Sequence, residues 1–370
     1  MKIEKIELRL IRLPLVHFFE TSFGRVYDRQ FVLVTVSGSG AYGYGECVAQ
    51  SEPYYSSETN ETAWHILSQF IAPSILGVDF SHPREIFTAL RAIRGHNMAK
   101  AAVEMAAWDL YARQADLPLY RMLGGERTVV ESGVSIGIQD SLSQLVDKVS
   151  SELSAGYRRI KIKIKPEWDI EAVDAVRNHL GEIPLMVDAN AAYQLSDASH
   201  LAKLDRYGLM MIEQPLGYDD LLDHVRLQKE LQTPICLDES IKTVATASAA
   251  LDVGACRIIN IKAGRVGGYT ESLKVHDLCQ ERSVPVWCGG MLESGIGRAH
   301  NIHLSTLQNF LLPGDIAASA RYYEPDLIEP GITVDSNGRI VVPDGPGLGV
   351  NVVADRVERA TERQLVLSNS

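Results

Sequence analysis

Five ionisable residues recur at a nearly fixed interval through the middle of the chain. Lys163, Asp188, Glu213 and Asp238 stand 25 residues apart, and Lys262 follows 24 residues later. Each closes a short β-branched or apolar run: RIKIKIK, PLMVDAN, LMMIEQP, PICLDES and RIINIKA. A single Asp at a strand end is ordinary, because Asp caps the helix that follows. Capping does not explain acids and lysines held in one phase over successive units. Three carboxylates brought together without compensation raise one another's pKa, and a divalent cation between Asp188, Glu213 and Asp238 resolves the conflict. Ligation by oxygen alone, without His or Cys, points to Mg2+, with Mn2+ as a substitute. Lys163 and Lys262 flank the acids, so a substrate held at the cation presents one face to each. The combination suits removal of a proton α to a carboxylate and stabilisation of the enediolate that results. A lysine of ordinary pKa, about 10.4, is a poor base at neutral pH, so desolvation or a neighbouring cation must lower it. Lys161 and Arg265 are the candidates for that cation, unless they are ordinary salt-bridge partners.

The elements that must carry these residues follow from periodicity. In GYRRIKIKIKPEWD, strict alternation puts Ile160, Ile162 and Ile164 on one side of a strand and Lys161, Lys163 and Lys165 on the other. The ordinary reading of such a run is a wet lysine face. The phase instead selects Lys163 as level with the acids, with Lys161 about 7 Å deeper along the strand and Lys165 as far outward, towards solvent. Eight such runs between Val134 and Asp315 alternate with helix-length segments, which implies an α/β fold, a parallel (β/α)8 barrel with the five residues at its C-terminal mouth. The seventh and eighth runs, VPVWCGG and NFLLPGD, carry the weakest pattern. Residues 1–125 read as an α+β capping domain, 126–320 as the barrel, and 321–370 as a segment returning to the cap, with IEPGITVDSNGRIVVPDGPGLGV as a β-turn-β element.

Composition narrows the partners. The net charge of -11, with no compact basic patch, argues against nucleic acid or an anionic membrane. No run of about 18 apolar residues occurs, and MKIEKIELRLIRLPLV lacks the apolar stretch and cleavage site of a secretory signal. Cys47, Cys236, Cys256, Cys279 and Cys288 are odd in number and scattered, which reads as reduced, non-structural thiols in a cytoplasmic protein.

At KIK (Lys161–Lys163), VDAN, IEQP, LDES, NIKAGRVGG and GGMLESGIGRAHN the chain resembles the enolase superfamily, in its muconate-lactonising-enzyme-like branch. TSFG and YGECVAQSEPYYSSE add a resemblance to the o-succinylbenzoate synthase and N-succinylamino acid racemase group. The resemblance covers essentially the whole length. It implies that Asp188, Glu213 and Asp238 bind Mg2+, that Lys163 and Lys262 form the acid/base pair, and that Lys161, Asn190, Glu239, Asn260 and Arg265 support them. Ala263 departs from a frequent Pro and Lys165 from a frequent acid, and neither belongs to the catalytic set. Phe19, Phe23 and Tyr55 are expected to close over a succinyl arm, with Ser135, Gly290, Met291 and Ile296 on the barrel side; domain packing is the competing role for the aromatics. The implied activity is dehydration of 2-succinyl-6-hydroxy-2,4-cyclohexadiene-1-carboxylate on the way to menaquinone. Two-base racemisation of N-succinyl- or N-acylamino acids is the alternative, and a catalytically silent member of the fold the third reading. A small carboxylate substrate and a homo-oligomer are the partners the resemblance implies.

Overall fold

A four-stranded antiparallel sheet, order β15-β1-β2-β3, opens the computed structural model, which describes residues 1–368. Its strands are β1 (Lys5–Thr21), β2 (Gly24–Gly38), β3 (Ala41–Cys47) and β15 (Thr361–Ser368). The helix Asn97–Gln114 lies against β3 so closely that a Cβ at Gly43 would stand 2.1 Å from the Ala106 carbonyl oxygen, and one at Gly45 1.9 Å from that of Ala102. Only glycine permits that approach. The helix is alanine-rich and buried on most of its surface, so its pattern reads as apolar nearly all round.

The second unit is a parallel sheet in strict sequence order: β5 (Val134–Ile136), β6 (Ile160–Lys163), β7 (Leu185–Asp188), β8 (Ile212–Glu213), β9 (Ile235–Leu237), β10 (Ile258–Ile261) and β11 (Val286–Cys288). These are the first seven strands of a (β/α)8-type barrel. The eighth run does not form a regular strand. Pro313 has no N–H to give a ladder and Gly314 weakens an extended pairing, so residues 309–315 close the barrel through separate contacts. Asp315 N donates to Cys288 O at 2.7 Å, and Gly133 N donates to Gly314 O at 2.7 Å.

Beyond the barrel, β13 (Arg339–Val341) pairs antiparallel with β4 (Val129–Glu131) instead of with the N-terminal sheet. The strand that rejoins that sheet is β15, beside β1 with Lys5 opposite Ser368. The cap is fastened to the barrel by two buried acids at helix N-termini. Glu104 accepts from Tyr269 N at 2.7 Å and Thr270 N at 3.0 Å, where the helix Tyr269–Glu281 begins. Glu46 accepts from Ser294 Oγ at 2.6 Å and from Ser294 N and Gly297 N at 3.2 Å, where the helix Gly295–Leu304 begins. Both carboxylates satisfy donors that a helix cannot satisfy itself and meet the positive end of its dipole. No helix among the described residues is long and apolar enough to cross a membrane.

Candidate active site

Strand pairing sets the acids side by side. Lys163 is opposite Asp188 and Asp188 opposite Glu213, so the first three members of the phase share one register. The next step differs: Glu213 is opposite Cys236, two residues before Asp238. Barrel strands tilt against the axis, so residues at one height must advance in register round the barrel. The equal 25-residue spacing is therefore a spacing in height at the mouth, kept by a stagger between strands.

All three carboxylates are buried, and each is held by a cation. Lys163 Nζ donates to Asp188 Oδ2 at 2.6 Å and to Asn190 Oδ1 at 2.7 Å. Lys161 Nζ lies 2.9 Å from Glu213 Oε2, 3.4 Å from Asp188 Oδ2 and 3.0 Å from Asp315 Oδ2. Lys262 Nζ donates to Asp238 Oδ2 at 2.7 Å and to the Tyr55 hydroxyl at 3.1 Å. Arg265 Nη1 donates to Asp238 Oδ1, which also accepts from Tyr55 OH at 2.9 Å. Asn260 Nδ2 donates to Glu213 Oε1 at 2.7 Å, and Asn190 Nδ2 to Glu239 Oε1 at 3.1 Å. Lys161 and Lys163 are buried. The Lys165 side chain is 38% exposed and reaches Glu20 of the cap at 3.2 Å, so the wet-face reading holds for that lysine alone.

The electrostatics follow from burial and pairing. Burial would raise Asp188 and Asp238, but Lys163 and Lys161 hold the first below the usual carboxylate range, and Lys262 and Arg265 the second. Glu213 is pushed up to about 7, by burial and then by Asp188. Glu239 is raised well above the carboxylate range, by burial and then by Asp238. Burial would lower Lys262, but Asp238 and Tyr55 hold it well above its ordinary value. Among the described residues no three His, Cys, Asp or Glu side chains stand gathered as a ready metal cluster, and lysine ammonium groups sit against the acids. The donor chemistry nevertheless fits a hard divalent cation: Asp188, Glu213 and Asp238 offer only oxygen, and the buried Asn260 Oδ1 and Glu239 Oε2 are left without a hydrogen-bond partner among the described residues.

A cavity of about 210 Å3 opens over this array between cap and barrel. Lys161, Lys163, Lys262 and Asn190 line it, as do Phe19, Phe23, Tyr55, Ser135, Gly290 and Met291. Tyr55 is more than a lid, since its hydroxyl bridges Asp238 and Lys262. Ile296 is a correction: it is fully buried in the barrel core and does not line the cavity, because the chain enters a helix at the Ser294 cap and turns this side chain inward. Sequence reasoning also missed Asp315, which bonds Ser135 Oγ at 2.6 Å and meets Lys161 from the irregular eighth segment. Its signal was an acid closing the eighth run. Arg29, Arg298 and Tyr322, which also line the cavity, carry no comparable mark in the sequence.

Residues 5–124 match the mandelate racemase / muconate lactonizing enzyme N-terminal domain, and residues 144–356 the enolase C-terminal domain-like family. The chain belongs to the enolase superfamily, in this muconate-lactonizing-enzyme-like branch. Over 98% of the chain it is 53% identical to a protein of Geobacillus kaustophilus named o-succinylbenzoate synthase, covering 96% of that protein. It is 47% identical to a Thermus thermophilus protein named N-succinylamino acid racemase, with 100% of both chains covered. The crystal structure of an enolase-superfamily member from Listeria innocua superposes with a TM-score of 0.95 at 40% identity, covering 100% of this chain and 99% of that one. Membership of this superfamily implies a divalent cation.

Proposed function

We propose that this protein dehydrates 2-succinyl-6-hydroxy-2,4-cyclohexadiene-1-carboxylate to o-succinylbenzoate, with Mg2+ as the cation and Mn2+ as its substitute. The observation that carries the reading is that Lys163 and Lys262, from the second and sixth barrel strands, line one cavity while each is hydrogen-bonded to an acid of the buried triad. Asp188, Glu213 and Asp238 would hold the cation, which would supply positive charge to offset the negative charge developing on the substrate carboxylate. Lys163 removes the α-proton and then, as the ammonium, gives a proton to the departing hydroxyl on the same face. Asn190 fixes its orientation by accepting from Nζ. Lys262 remains protonated, and its positive charge stabilises the enediolate; Asp238 and Tyr55 favour that charged form.

A second reading, two-base racemisation of N-succinylamino acids, shares the first proton transfer. It is favoured by the name of the Thermus thermophilus relative; Arg265 engages Asp238 beside Lys262, but Asp238 and Tyr55 still favour the Lys262 ammonium, so the expected lowering by Arg265 carries no weight for this reading. Both substrates offered to the purified, Mg2+-loaded protein separate the readings: deuterium uptake into N-succinylamino acids without any dehydration overturns the synthase reading. Placement in the cytoplasm belongs to the same proposal and is supported by the five buried free cysteines.

A further inference from the structure

Six cations line the cavity: Arg25, Arg29, Lys161, Lys163, Lys262 and Arg298. Five of them stand in salt bridges, to Glu20 and Asp140, to the acids of the site, or, for Arg298, to Asp326. Arg29 has none. It is 4% exposed, and its guanidinium donates only to main-chain carbonyls: Met291 O at 3.3 Å, Gln30 O at 2.6 Å, Ala49 O at 2.9 Å and Val48 O at 2.7 Å. A buried charge paired with no opposite charge is expensive, and carbonyl dipoles solvate it without cancelling it. Among the described residues no carboxylate pairs directly with this charge in the cavity wall; the acid it acts on through space is Glu46, whose oxygens are held instead by Ser294 and Gly297.

The position of that charge is also informative. Through Met291 O it holds the barrel loop that forms one wall, and through Val48 O and Ala49 O it holds the strand end leading to Gln50, Ser51, Glu52, Tyr54 and Tyr55 of the cap wall. Its hydrogen bonds run to these two walls and to none of Asp188, Glu213 and Asp238, which fits service to a part of the ligand other than its reacting carboxylate. We propose that Arg29 is a specificity-determining residue whose charge in the cavity wall, unpaired by any direct ion pair, selects substrates carrying a second carboxylate, dianions, over otherwise similar monoanions. Four of its five N–H groups are committed to carbonyls, so it acts chiefly through its field and through the two loops it joins. The inference rests on the proposed α-proton chemistry and deepens it by naming the charge class of the substrate.

The test compares N-succinyl and N-acetyl derivatives of one amino acid, by α-proton exchange in deuterium oxide, and takes the ratio of their kcat/KM values. Arg29→Met is expected to lower that ratio by about tenfold or more, chiefly through KM of the succinyl compound, while Arg29→Lys keeps it within about threefold. Arg29→Gln, which keeps hydrogen-bonding capacity towards the carbonyls but not the charge, is expected to lower the ratio as Arg29→Met does. A ratio unchanged in Arg29→Met, however large the common loss, shows a structural staple only and overturns the proposal; so does an unchanged ratio in Arg29→Gln if the Met variant fails to fold. Binding of o-succinylbenzoate against benzoate, by calorimetry on the Mg2+-loaded protein, reads the same preference without turnover. No exchange on either amino acid derivative, with the dianion preference present in binding and lost in Arg29→Met, counts against the reaction and for the role of Arg29.

Discussion

Truncating the three lysines of β6 and its extension to alanine should give three different phenotypes, because their surroundings differ more than their chemistry does. Lys165 is 38% exposed in its side chain and has one partner, Glu20, at 3.2 Å. An ion pair of this kind contributes about 0.2–1 kcal/mol, so Lys165→Ala should change stability by less than about 1 kcal/mol and kcat/KM by less than about fivefold. Lys161 is buried among Glu213, Asp188 and Asp315 at 2.9, 3.4 and 3.0 Å. Removing one partner of a buried pair costs about 3–5 kcal/mol, and here three carboxylates lose a common counter-charge. The expected result is about 3 kcal/mol less stability in urea unfolding and a kcat lower by about 100-fold, with the fold retained. Lys163→Ala loses the base itself, and general base catalysis alone is worth about 100- to 10,000-fold, so activity should fall by at least the upper figure. Circular dichroism and urea titration establish folding, and dehydration with Mg2+ is then followed for each variant. A folded but inactive Lys165→Ala, or a Lys161→Ala indistinguishable from the unaltered protein, would refute the assignment of depth along the strand.

Lys262→Ala is expected to abolish α-proton exchange with racemisation, while Lys262→Arg keeps a positive charge and should retain measurable dehydration; equal loss of both activities in Lys262→Arg argues against a purely electrostatic role in the dehydration. Glu104→Ala leaves the Tyr269 and Thr270 N–H groups and the Trp108 indole N–H, 2.8 Å from Glu104 Oε1, without their acceptor. At about 1–3 kcal/mol for each buried unsatisfied group, unfolding free energy should drop by at least about 3 kcal/mol in urea titration, and a drop below 1 kcal/mol would contradict the cap-to-barrel clasp. Burial pushes Glu46 up to about 7 from an ordinary 4.5. The folded protein therefore binds this proton more tightly than the unfolded chain, so its contribution to stability is greatest below about 4.5 and declines as pH rises to about 7. Glu46→Gln should remove that decline from a pH series of melting temperatures, and an identical slope in both proteins would discount the shift.

The sequence periodicity anticipated which residues come together because residue counting tracks height in a barrel whose units are equal in length. Asp188, Glu213 and Asp238 come to adjacent strands at one mouth, as the phase requires. Counting does not report stagger, so the two-residue register advance between Glu213 and Asp238 was illegible. The eighth run shows the opposite weakness: Pro313 and Gly314 break its ladder, and with the strand pattern went the mark that would have singled out Asp315. Ile296 misled because an apolar residue in a glycine-rich stretch fits a cavity wall as well as a core, and only the helix begun at Ser294 decides between them. Arg29 could not be read at all. Its meaning lies in having no ion-pair partner among the described residues, a fact of three-dimensional arrangement to which no spacing along the chain corresponds.

The most direct test of the central claim is the loss of diene absorbance as 2-succinyl-6-hydroxy-2,4-cyclohexadiene-1-carboxylate becomes o-succinylbenzoate, measured with Mg2+ for the unaltered protein and for Lys163→Ala. Rapid, cation-dependent conversion by the first and none above background by the second is the expected result. No conversion by the folded, Mg2+-loaded protein, or an equal rate in the folded Lys163→Ala variant, would contradict it.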